Sequence, residues 1–282
     1  MSGGNEIAYR PRGRIVSLRG GAHVSGTVGT LGTFRDQVPF MVHPDARRID
    51  VRATLRDPFE NTFVRRFQHR ASIDVYAVVD LTRSLAYEGH ARKKDLITEL
   101  CAALAQSATR SGDRFGLLGC DAAVRDDCFI PATRRPGIFD EVAVCLSHAP
   151  FQGASADGLN KVAERLAGRR KMVFLISDFL LPLSLIRQVF ESLAMHDVIP
   201  VVIGDSSEDA ALPDWGLLEF VDLETSARRV VFMRPKLKQL WLEREKDRRA
   251  ALWRLARQFS RTPVTIADSF DVDRFSRDLL EA

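Results

Sequence analysis

The strongest structural signal in the chain lies in the segment Ile73-Asp74-Val75-Tyr76-Ala77-Val78-Val79-Asp80. Its centre is apolar and rich in β-branched residues, a composition typical of a strand that is covered on both faces of a sheet. The run ends in an acid, Asp80, which would stand at the edge of that sheet. The segment therefore predicts a buried strand that ends at a site.

Further along the chain, apolar strands alternate with stretches of helical periodicity. Helices are predicted at 91–110, 137–147, 157–167, 183–196, 235–259 and 270–281, and strands at 114–120, 124–130, 171–178, 198–203 and 263–267. The strand at 171–178 again ends in an acid, Asp178. This alternation predicts an α/β fold with a doubly wound, mostly parallel sheet and helices on both faces. We expect the domain to span 73–282, with a hairpin insertion near 212–234.

The sequence before residue 73 has a different character. Residues 1–36 are rich in Gly, Arg and Ser and show no sustained period, so we expect a flexible basic N-terminus there. Residues 37–72 mix acids and arginines with short apolar pieces, which predicts an arm or small β unit with one or two strands. Such a segment cannot bury a core alone, so we expect it to pack against the larger domain, beside the 217–233 hairpin.

Composition excludes several classes of function. The chain has 282 residues and a net charge of +4, and its arginine clusters carry no aromatic platform or known module, so no nucleic-acid partner is expected. No apolar run has the length of a membrane span, and the N-terminus lacks the core of a signal peptide. Four cysteines without a CxxC spacing indicate reduced, structural thiols. These features predict a cytoplasmic protein.

Hydroxyl groups accompany the two acids that end strands. Thr82 and Ser84 follow Asp80 at alternate positions, and Ser155 lies in a loop of small residues before the strand that ends at Asp178. Ligands of open α/β sheets bind beyond the carboxyl ends of the strands, where these side chains are expected to meet. An all-oxygen set suits Mg²⁺, with Mn²⁺ or Ca²⁺ as alternatives, and lacks the Cys and His that zinc prefers. We expect the hydroxyls of Thr82 and Ser84 to bind the ion directly and the acids to act partly through water.

A structural interpretation competes with this one. Thr82 and Ser84 could cap the segment that follows them, and Asp178 could cap the next helix. Capping is the more frequent role for the Thr82 and Ser84 hydroxyls alone, or for Asp178 alone. Because both groups stand at the ends of strands, the combination favours a metal site. The flanking residues Arg83, Tyr87 and Phe179 are either rim contacts to a partner or ordinary surface and packing residues.

The pattern Asp80-x-Thr82-x-Ser84 resembles the DxSxS motif of the metal-ion-dependent adhesion site in von Willebrand factor A domains, with Thr in place of the first Ser. Ile176-Ser177-Asp178-Phe179 resembles the later strand of that family, which also ends in Asp. The family's middle threonine has no exact counterpart, and Ser155 is the best candidate for it. The resemblance implies a von Willebrand factor A-like fold with a divalent ion held by Asp80, Thr82, Ser84, Ser155 and Asp178.

The flanking sequence narrows the resemblance. Before the domain come Asp45-Ala46-Arg47-Arg48-Ile49-Asp50-Val51-Arg52-Ala53 and Phe63-Val64-Arg65-Arg66-Phe67, and after its core strands comes Leu212-Pro213-Asp214-Trp215-Gly216-Leu217. These segments resemble a von Willebrand-like family of unknown function that is encoded beside MoxR-type AAA+ ATPases in bacteria. The resemblance implies a role with that ATPase in the maturation or assembly of other proteins.

We therefore expect a non-enzymatic interaction module that binds a MoxR-type AAA+ ATPase, or its client protein, through the ion and an Asp or Glu of the partner. One alternative is a haloacid dehalogenase-like phosphatase, because Gly204-Asp205-Ser206-Ser207-Glu208-Asp209 resembles the metal motif of that fold. Asp80 would then attack phosphorus and Asp205 would hold Mg²⁺, although Thr82 stands where the usual general acid is found. The other alternative is a scaffold without any metal.

Overall fold

The computed structural model describes residues 6–12, 23–29, 33–207, 212–221 and 228–282. The chain divides into two compact units. The larger unit consists of Met1–Arg10, Asp74–Arg110 and Arg114–Ala282, and the smaller unit of Pro11–Ile73 and Ser111–Asp113. The main boundary between them lies at the start of the strand that ends in Asp80.

The described elements follow the predicted alternation closely. The strands are β1 (His23–Gly29), β2 (Thr33–Pro39), β3 (Phe63–Ala71), β4 (Asp74–Asp80), β5 (Arg114–Cys120), β6 (Val124–Thr133), β7 (Met172–Ser177), β8 (Asp197–Gly204), β9 (Gly216–Val221), β10 (Arg228–Met233) and β11 (Val264–Ala267). The α-helices are α1 (Val51–Arg56), α2 (Lys93–Arg110), α3 (Ile138–His148), α4 (Val162–Arg165), α5 (Leu183–Ser192), α6 (Pro235–Phe259) and α7 (Val272–Glu281).

The larger unit is built on a six-stranded sheet with the strand order β11-β8-β7-β4-β5-β6. Strand β6 runs antiparallel to β5 at one edge, while the other neighbouring strands are parallel to each other. The chain moves from β4 outward to β5 and later returns beside β4 to form β7, so the direction of winding reverses between these two strands. The predicted doubly wound, mostly parallel sheet is confirmed.

Helices cover both faces of this sheet. Because side chains alternate along a strand, Val78 and Leu175 face one side, where they join Phe190 of α5 in an apolar core. On the other side Phe174 of β7 lies against Phe275 of α7, with ring centroids 6.5 Å apart. Burial on both faces explains why β4 and β7 are continuous apolar runs in the sequence.

The helix predicted at 157–167 is shorter than expected. A 3-10 turn occupies Asp157–Lys161, and α4 covers only Val162–Arg165. The amide of Gly158 donates to the carbonyl of Asp121 at 2.9 Å, and a Cβ at this glycine would lie 2.5 Å from the carbonyl carbon of Ala123. This close contact with the turn between β5 and β6 fixes the start of the segment, which helical periodicity alone does not reveal.

The smaller unit contains a three-stranded antiparallel sheet in the order β1-β3-β2. The expectation of a flexible chain over residues 1–36 is therefore wrong for 23–29 and 33–36, which lie in β1 and β2. Their partner, β3, comes much later in the chain, so local periodicity in the sequence does not reveal the pairing.

Strands β9 and β10 form the predicted antiparallel hairpin in the larger unit. The packing of residues 37–72 beside this hairpin stays a prediction. Within the part of the chain that the structure describes, no helix combines the length and the hydropathy needed to cross a membrane.

Candidate metal site

The two acids that end strands lie at the carboxyl edge of the sheet, on neighbouring strands. Strands β4 and β7 are parallel, and Val79 of β4 is in register with Ile176 of β7. Asp80 is the last residue of β4, and Asp178 follows the last residue of β7. Both lie where the winding of the sheet reverses, which is the usual place for a ligand in an open α/β sheet.

Asp80 is fully buried, with a relative exposure of 0%. Its Oδ1 accepts a hydrogen bond from the amide of Thr82 at 2.9 Å, and its Oδ2 accepts one from the hydroxyl of Ser177 at 2.7 Å. Burial, and then the negative charge of Asp178, raise the pKa of Asp80 to about 6, although the two hydrogen bonds act in the opposite direction. The carboxylate form of Asp80 is therefore costly unless positive charge is nearby.

The hydroxyls of Thr82 and Ser84 lie 3.1 Å apart, close enough to share a hydrogen bond. Thr82 is buried and precedes the 3-10 turn at Arg83–Ala86, but its side chain makes no capping hydrogen bond to that turn. The capping interpretation therefore does not account for Thr82. The two hydroxyl oxygens are instead paired beside Asp80.

Asp178 is 5% exposed, and its two carboxylate oxygens have different surroundings. Oδ1 accepts a hydrogen bond from the amide of Leu180 at 3.1 Å, whereas the buried Oδ2 has no hydrogen-bond partner among the residues that the structure describes. The ammonium of Lys93, a residue that is 1% exposed, lies 3.7 Å from this Oδ2. Helix α5 has Pro182 at its N-cap, so Asp178 does not cap that helix.

Ser155 stands apart from the other four predicted ligands. Its hydroxyl donates to Asp157 Oδ2 at 3.1 Å, and no hydrogen bond to the other four is found among the described residues. The loop that carries Ser155 nevertheless reaches the site through Gly153, whose carbonyl accepts from the amide of Arg83 at 3.0 Å and whose amide donates to the carbonyl of Leu81 at 3.1 Å. The structure thus brings together Asp80, Thr82, Ser84 and Asp178, with Ser155 in an adjoining loop.

The residues present fit a hard cation. The possible ligands are two buried carboxylates and two paired hydroxyls, so every one of them is an oxygen; Asp178 Oδ2 has no hydrogen-bond partner among the described residues. The described residues include no group of three or more His, Cys, Asp or Glu side chains that could hold an ion. An ion bound here would therefore depend on the hydroxyls as well as on the two acids.

Two functional neighbours were not predicted as part of the site. Ser177 precedes Asp178 in sequence, but only the pairing of β4 with β7 reveals that its hydroxyl donates a hydrogen bond to Asp80. Lys93 lies at the start of α2 in a charged stretch, where a lysine is normally expected to be exposed.

Phe179, which we considered as a rim contact, is 2% exposed and packs against Phe190, with ring centroids 6.3 Å apart. It is therefore a core residue.

Asp205, the metal ligand in the phosphatase alternative, directly follows β8 at the same edge of the sheet. Its Oδ1 accepts from the amide and the hydroxyl of Ser207, and its Oδ2 accepts from the amide of Ala91 at 3.4 Å. Burial acts to raise the pKa of Asp205, but these hydrogen bonds together lower it. Its carboxylate is thus stabilised by hydrogen bonds from Ser207 in its own loop and from the amide of Ala91. Glu208 and Asp209, the rest of that motif, lie outside the described residues.

The relatives of the chain are uncharacterized proteins. An uncharacterized protein in the moxR 3′ region of Paracoccus denitrificans is 34% identical over 105 residues, which make up 37% of this chain and 100% of that protein. An uncharacterized protein of Mycobacterium bovis is 28% identical over 199 residues, or 69% of this chain and 61% of that protein. The chain thus covers less than two thirds of the length of the mycobacterial relative.

The solved structures that resemble this one are distant. The conserved hypothetical protein BatB from Bacteroides thetaiotaomicron is 11% identical, with a TM-score of 0.45 and coverage of 74% of this chain and 98% of that one. Proximal thread matrix protein 1 of the mussel byssus, solved with a zinc-occupied MIDAS motif, is 19% identical, with a TM-score of 0.34 and coverage of 47% and 38%. At these TM-scores the two structures say nothing about the ion or the partner of this chain.

A family model gives the more extensive match. The model described as "Protein of unknown function DUF58" matches residues 39–251, well over half of the 282-residue chain. The matched range contains both strands that end in acids, and it confirms the family of unknown function expected from the flanking motifs. The chain belongs to the DUF58 family.

Proposed function

We propose that the chain is a non-enzymatic interaction module that binds a partner protein through a divalent cation. The cation would be held by Asp80, Thr82, Ser84 and Asp178, and Mg²⁺ is the first choice, with Mn²⁺ or Ca²⁺ as alternatives. The observation that carries the proposal is Asp178 Oδ2, a buried anionic oxygen that has no hydrogen-bond partner in the described part of the chain and lies beside a second buried carboxylate. The Lys93 ammonium balances the charge of this oxygen from 3.7 Å but makes no hydrogen bond to it, so its lone pairs remain open to a metal ion.

The chemistry of a hard ion suits protein recognition. Held by hydroxyls and carboxylates, such an ion retains water, and a carboxylate of the partner can take the place of that water. One contact of this kind is too small to be specific, so the surrounding surface must supply the rest. Tyr87, which is 38% exposed, and the half-buried Arg83 are the nearest candidates for this rim.

The proposed partner is a MoxR-type AAA+ ATPase, or a client protein of that ATPase, acting in the cytoplasm. Support comes from the relative in Paracoccus denitrificans, which is named for its place in the moxR 3′ region. That relative matches this chain over 105 residues only. The partner of this chain is therefore inferred from the genomic position of the relative together with the chemistry of the site.

The phosphatase alternative receives less support from the surroundings of Asp80. A nucleophilic carboxylate needs an accessible oxygen, but Asp80 is 0% exposed and both of its oxygens accept hydrogen bonds. We therefore expect no Mg²⁺-dependent turnover of phosphate esters. Turnover that disappears in Asp80→Asn would contradict this expectation and favour the phosphatase.

The direct experiment is a pull-down of the MoxR-type ATPase from the same bacterium, with Mg²⁺ or with EDTA. We expect recovery in Mg²⁺ that falls at least about tenfold in EDTA, in Asp80→Ala and in the double variant Thr82→Ala/Ser84→Ala. The matched control is Asp126→Ala, because the carboxylate of Asp126 is 79% exposed and pairs with Arg165 at the surface. Equal recovery in Mg²⁺ and EDTA would leave a scaffold that works without a metal.

A further inference from the structure

Lys93 carries a positive charge in a place that is unfavourable for one. Its side chain is 1% exposed, and lysine is almost never fully buried unless it is paired. It is also the first residue of α2, where the helix dipole disfavours a cation. Burial and helix position both oppose this lysine, so a nearby negative charge must compensate for them.

The compensating charge lies across the carboxyl edge of the sheet. The Lys93 ammonium is 3.7 Å from Asp178 Oδ2, the oxygen that no hydrogen bond satisfies. This distance is short enough for an ion pair but too long for a hydrogen bond. The ring of Tyr87, with its centroid 5.9 Å from the ammonium, covers the same group. The lysine therefore faces the oxygen that the proposed function assigns to a divalent ion.

We propose that Lys93 is the resident cation of this site: it neutralises Asp178 when no ion is bound, and it competes with a divalent ion for that carboxylate. The inference about competition rests on the proposed function, whereas the pairing of Lys93 with Asp178 does not. Asp80 and Asp178 together can carry two negative charges, which a divalent ion would balance alone. With Lys93 in place the same ion meets a surplus positive charge a few ångströms away, so its affinity is reduced.

The first measurement tests the competition by calorimetric titration with Mn²⁺. Lys93→Met is expected to bind Mn²⁺ at least about tenfold more tightly than the natural chain, and Asp80→Ala in that background should abolish the gain. The matched control is Lys94→Met, which removes the same charge from the next residue. The ammonium of Lys94 donates to the carbonyls of Ser147 and Ala149 at 2.8 and 3.0 Å, so this variant should leave Mn²⁺ affinity unchanged. Lys93→Gln replaces Lys93→Met if the apolar side chain prevents folding.

The second measurement tests the pairing without any metal, by urea unfolding in EDTA of Lys93→Met, Asp178→Asn and the double variant. We expect Lys93→Met alone to raise the unfolding equilibrium constant about tenfold or more, and Asp178→Asn to restore most of that loss. Additive effects would overturn the inference. If the unfolding data show that Lys93 and Asp178 are coupled, but the natural chain and Lys93→Met bind Mn²⁺ with equal affinity, then Lys93 does not compete with the ion.

The two measurements also separate this inference from the proposed function. If coupling is present but no variant binds Mn²⁺, the metal-dependent function fails and Lys93 stands as the cation that keeps the carboxylates buried. If the natural chain binds Mn²⁺ at Asp80 but coupling is absent, the metal-dependent function stands and the role of Lys93 fails.

Discussion

Two buried acid–base pairs lie at opposite edges of the same sheet, and they are built differently. At the amino edge, Arg261 donates to both carboxylate oxygens of Asp197, at 2.9 and 2.6 Å, and also to the carbonyl of Arg10. At the carboxyl edge, Lys93 approaches Asp178 only to 3.7 Å, and none of the described residues makes a hydrogen bond to the oxygen that it faces. Both pairs are almost fully buried, with side-chain exposures of 5% and 4% for the first and 1% and 3% for the second.

The difference separates a structural pair from a site. A bidentate arginine holds its carboxylate in one geometry and donates a hydrogen bond to each of its two oxygens. A lysine is a point charge on a flexible stem, and at 3.7 Å it balances charge without fixing geometry. Both oxygens of Asp197 are thus hydrogen-bonded to Arg261, while Asp178 Oδ2 keeps its hydrogen-bonding capacity for another ligand.

The largest expected effect is the loss of the bidentate pair. Arg261→Met would remove the guanidinium that donates to both oxygens of the buried Asp197, which is 3% exposed, and it should lower the free energy of unfolding by about 3 to 5 kcal/mol. Lys93→Met should cost less, about 1 to 2 kcal/mol, because its pair is longer and has no hydrogen bond. Urea denaturation at neutral pH measures both. The control is Arg135→Met, whose surface pair with Glu141 should contribute less than about 1 kcal/mol. Equal losses at the two edges would contradict the comparison.

Much of this arrangement was accessible from the sequence. The apolar runs that end at Asp80 and Asp178 predict two buried strands, and the preference of parallel sheets for ligands at their carboxyl edge predicts that the two acids meet. Thr82 and Ser84 lie close to Asp80 in sequence, so their position follows from the strand alone. Local signals of this kind were enough to predict the fold of the larger unit. They also predicted the four residues that the structure brings together, which are Asp80, Thr82, Ser84 and Asp178.

The remaining features depend on contacts between distant parts of the chain. Lys93 has the sequence surroundings of an exposed helical residue, and only the packing of α2 against the sheet buries it. The hydroxyl of Ser155 donates a hydrogen bond to its neighbour Asp157, and this partner is set by the geometry of the loop. Strands β1 and β2 were missed because their pairing with β3 leaves no local period. In each case the deciding partner is set by tertiary structure or loop conformation.

A smaller effect should appear in the pH dependence of stability. The pKa of Asp80 is about 6 in the folded chain against an ordinary value of 3.8, so between these values the folded state binds more protons than the unfolded state. Stability should therefore fall by about 2 to 3 kcal/mol as the pH rises through this range, and then level off. Asp80→Asn lacks this component, and Mg²⁺ should weaken it in the natural chain by favouring the carboxylate. Urea midpoints from pH 4.5 to 8 in EDTA, compared between the two chains, measure the difference; parallel curves would show that Asp80 is not perturbed.

The smallest expected effect belongs to Ser177, whose hydroxyl donates to Asp80 Oδ2 at 2.7 Å. This hydrogen bond favours the carboxylate, so Ser177→Ala should raise the pKa of Asp80 further and extend the fall in stability to higher pH. We expect a loss of about 1 kcal/mol at pH 8 and less at pH 5, where Asp80 is largely protonated in the folded state. Ser192→Ala is the matched control, because its hydroxyl donates only to the carbonyl of Val189 in its own helix, and it should show no pH dependence. If the two variants lose the same stability at both pH values, the Ser177 hydroxyl does not stabilise the Asp80 carboxylate, and the hydrogen bond from the Thr82 amide remains as the contact that does.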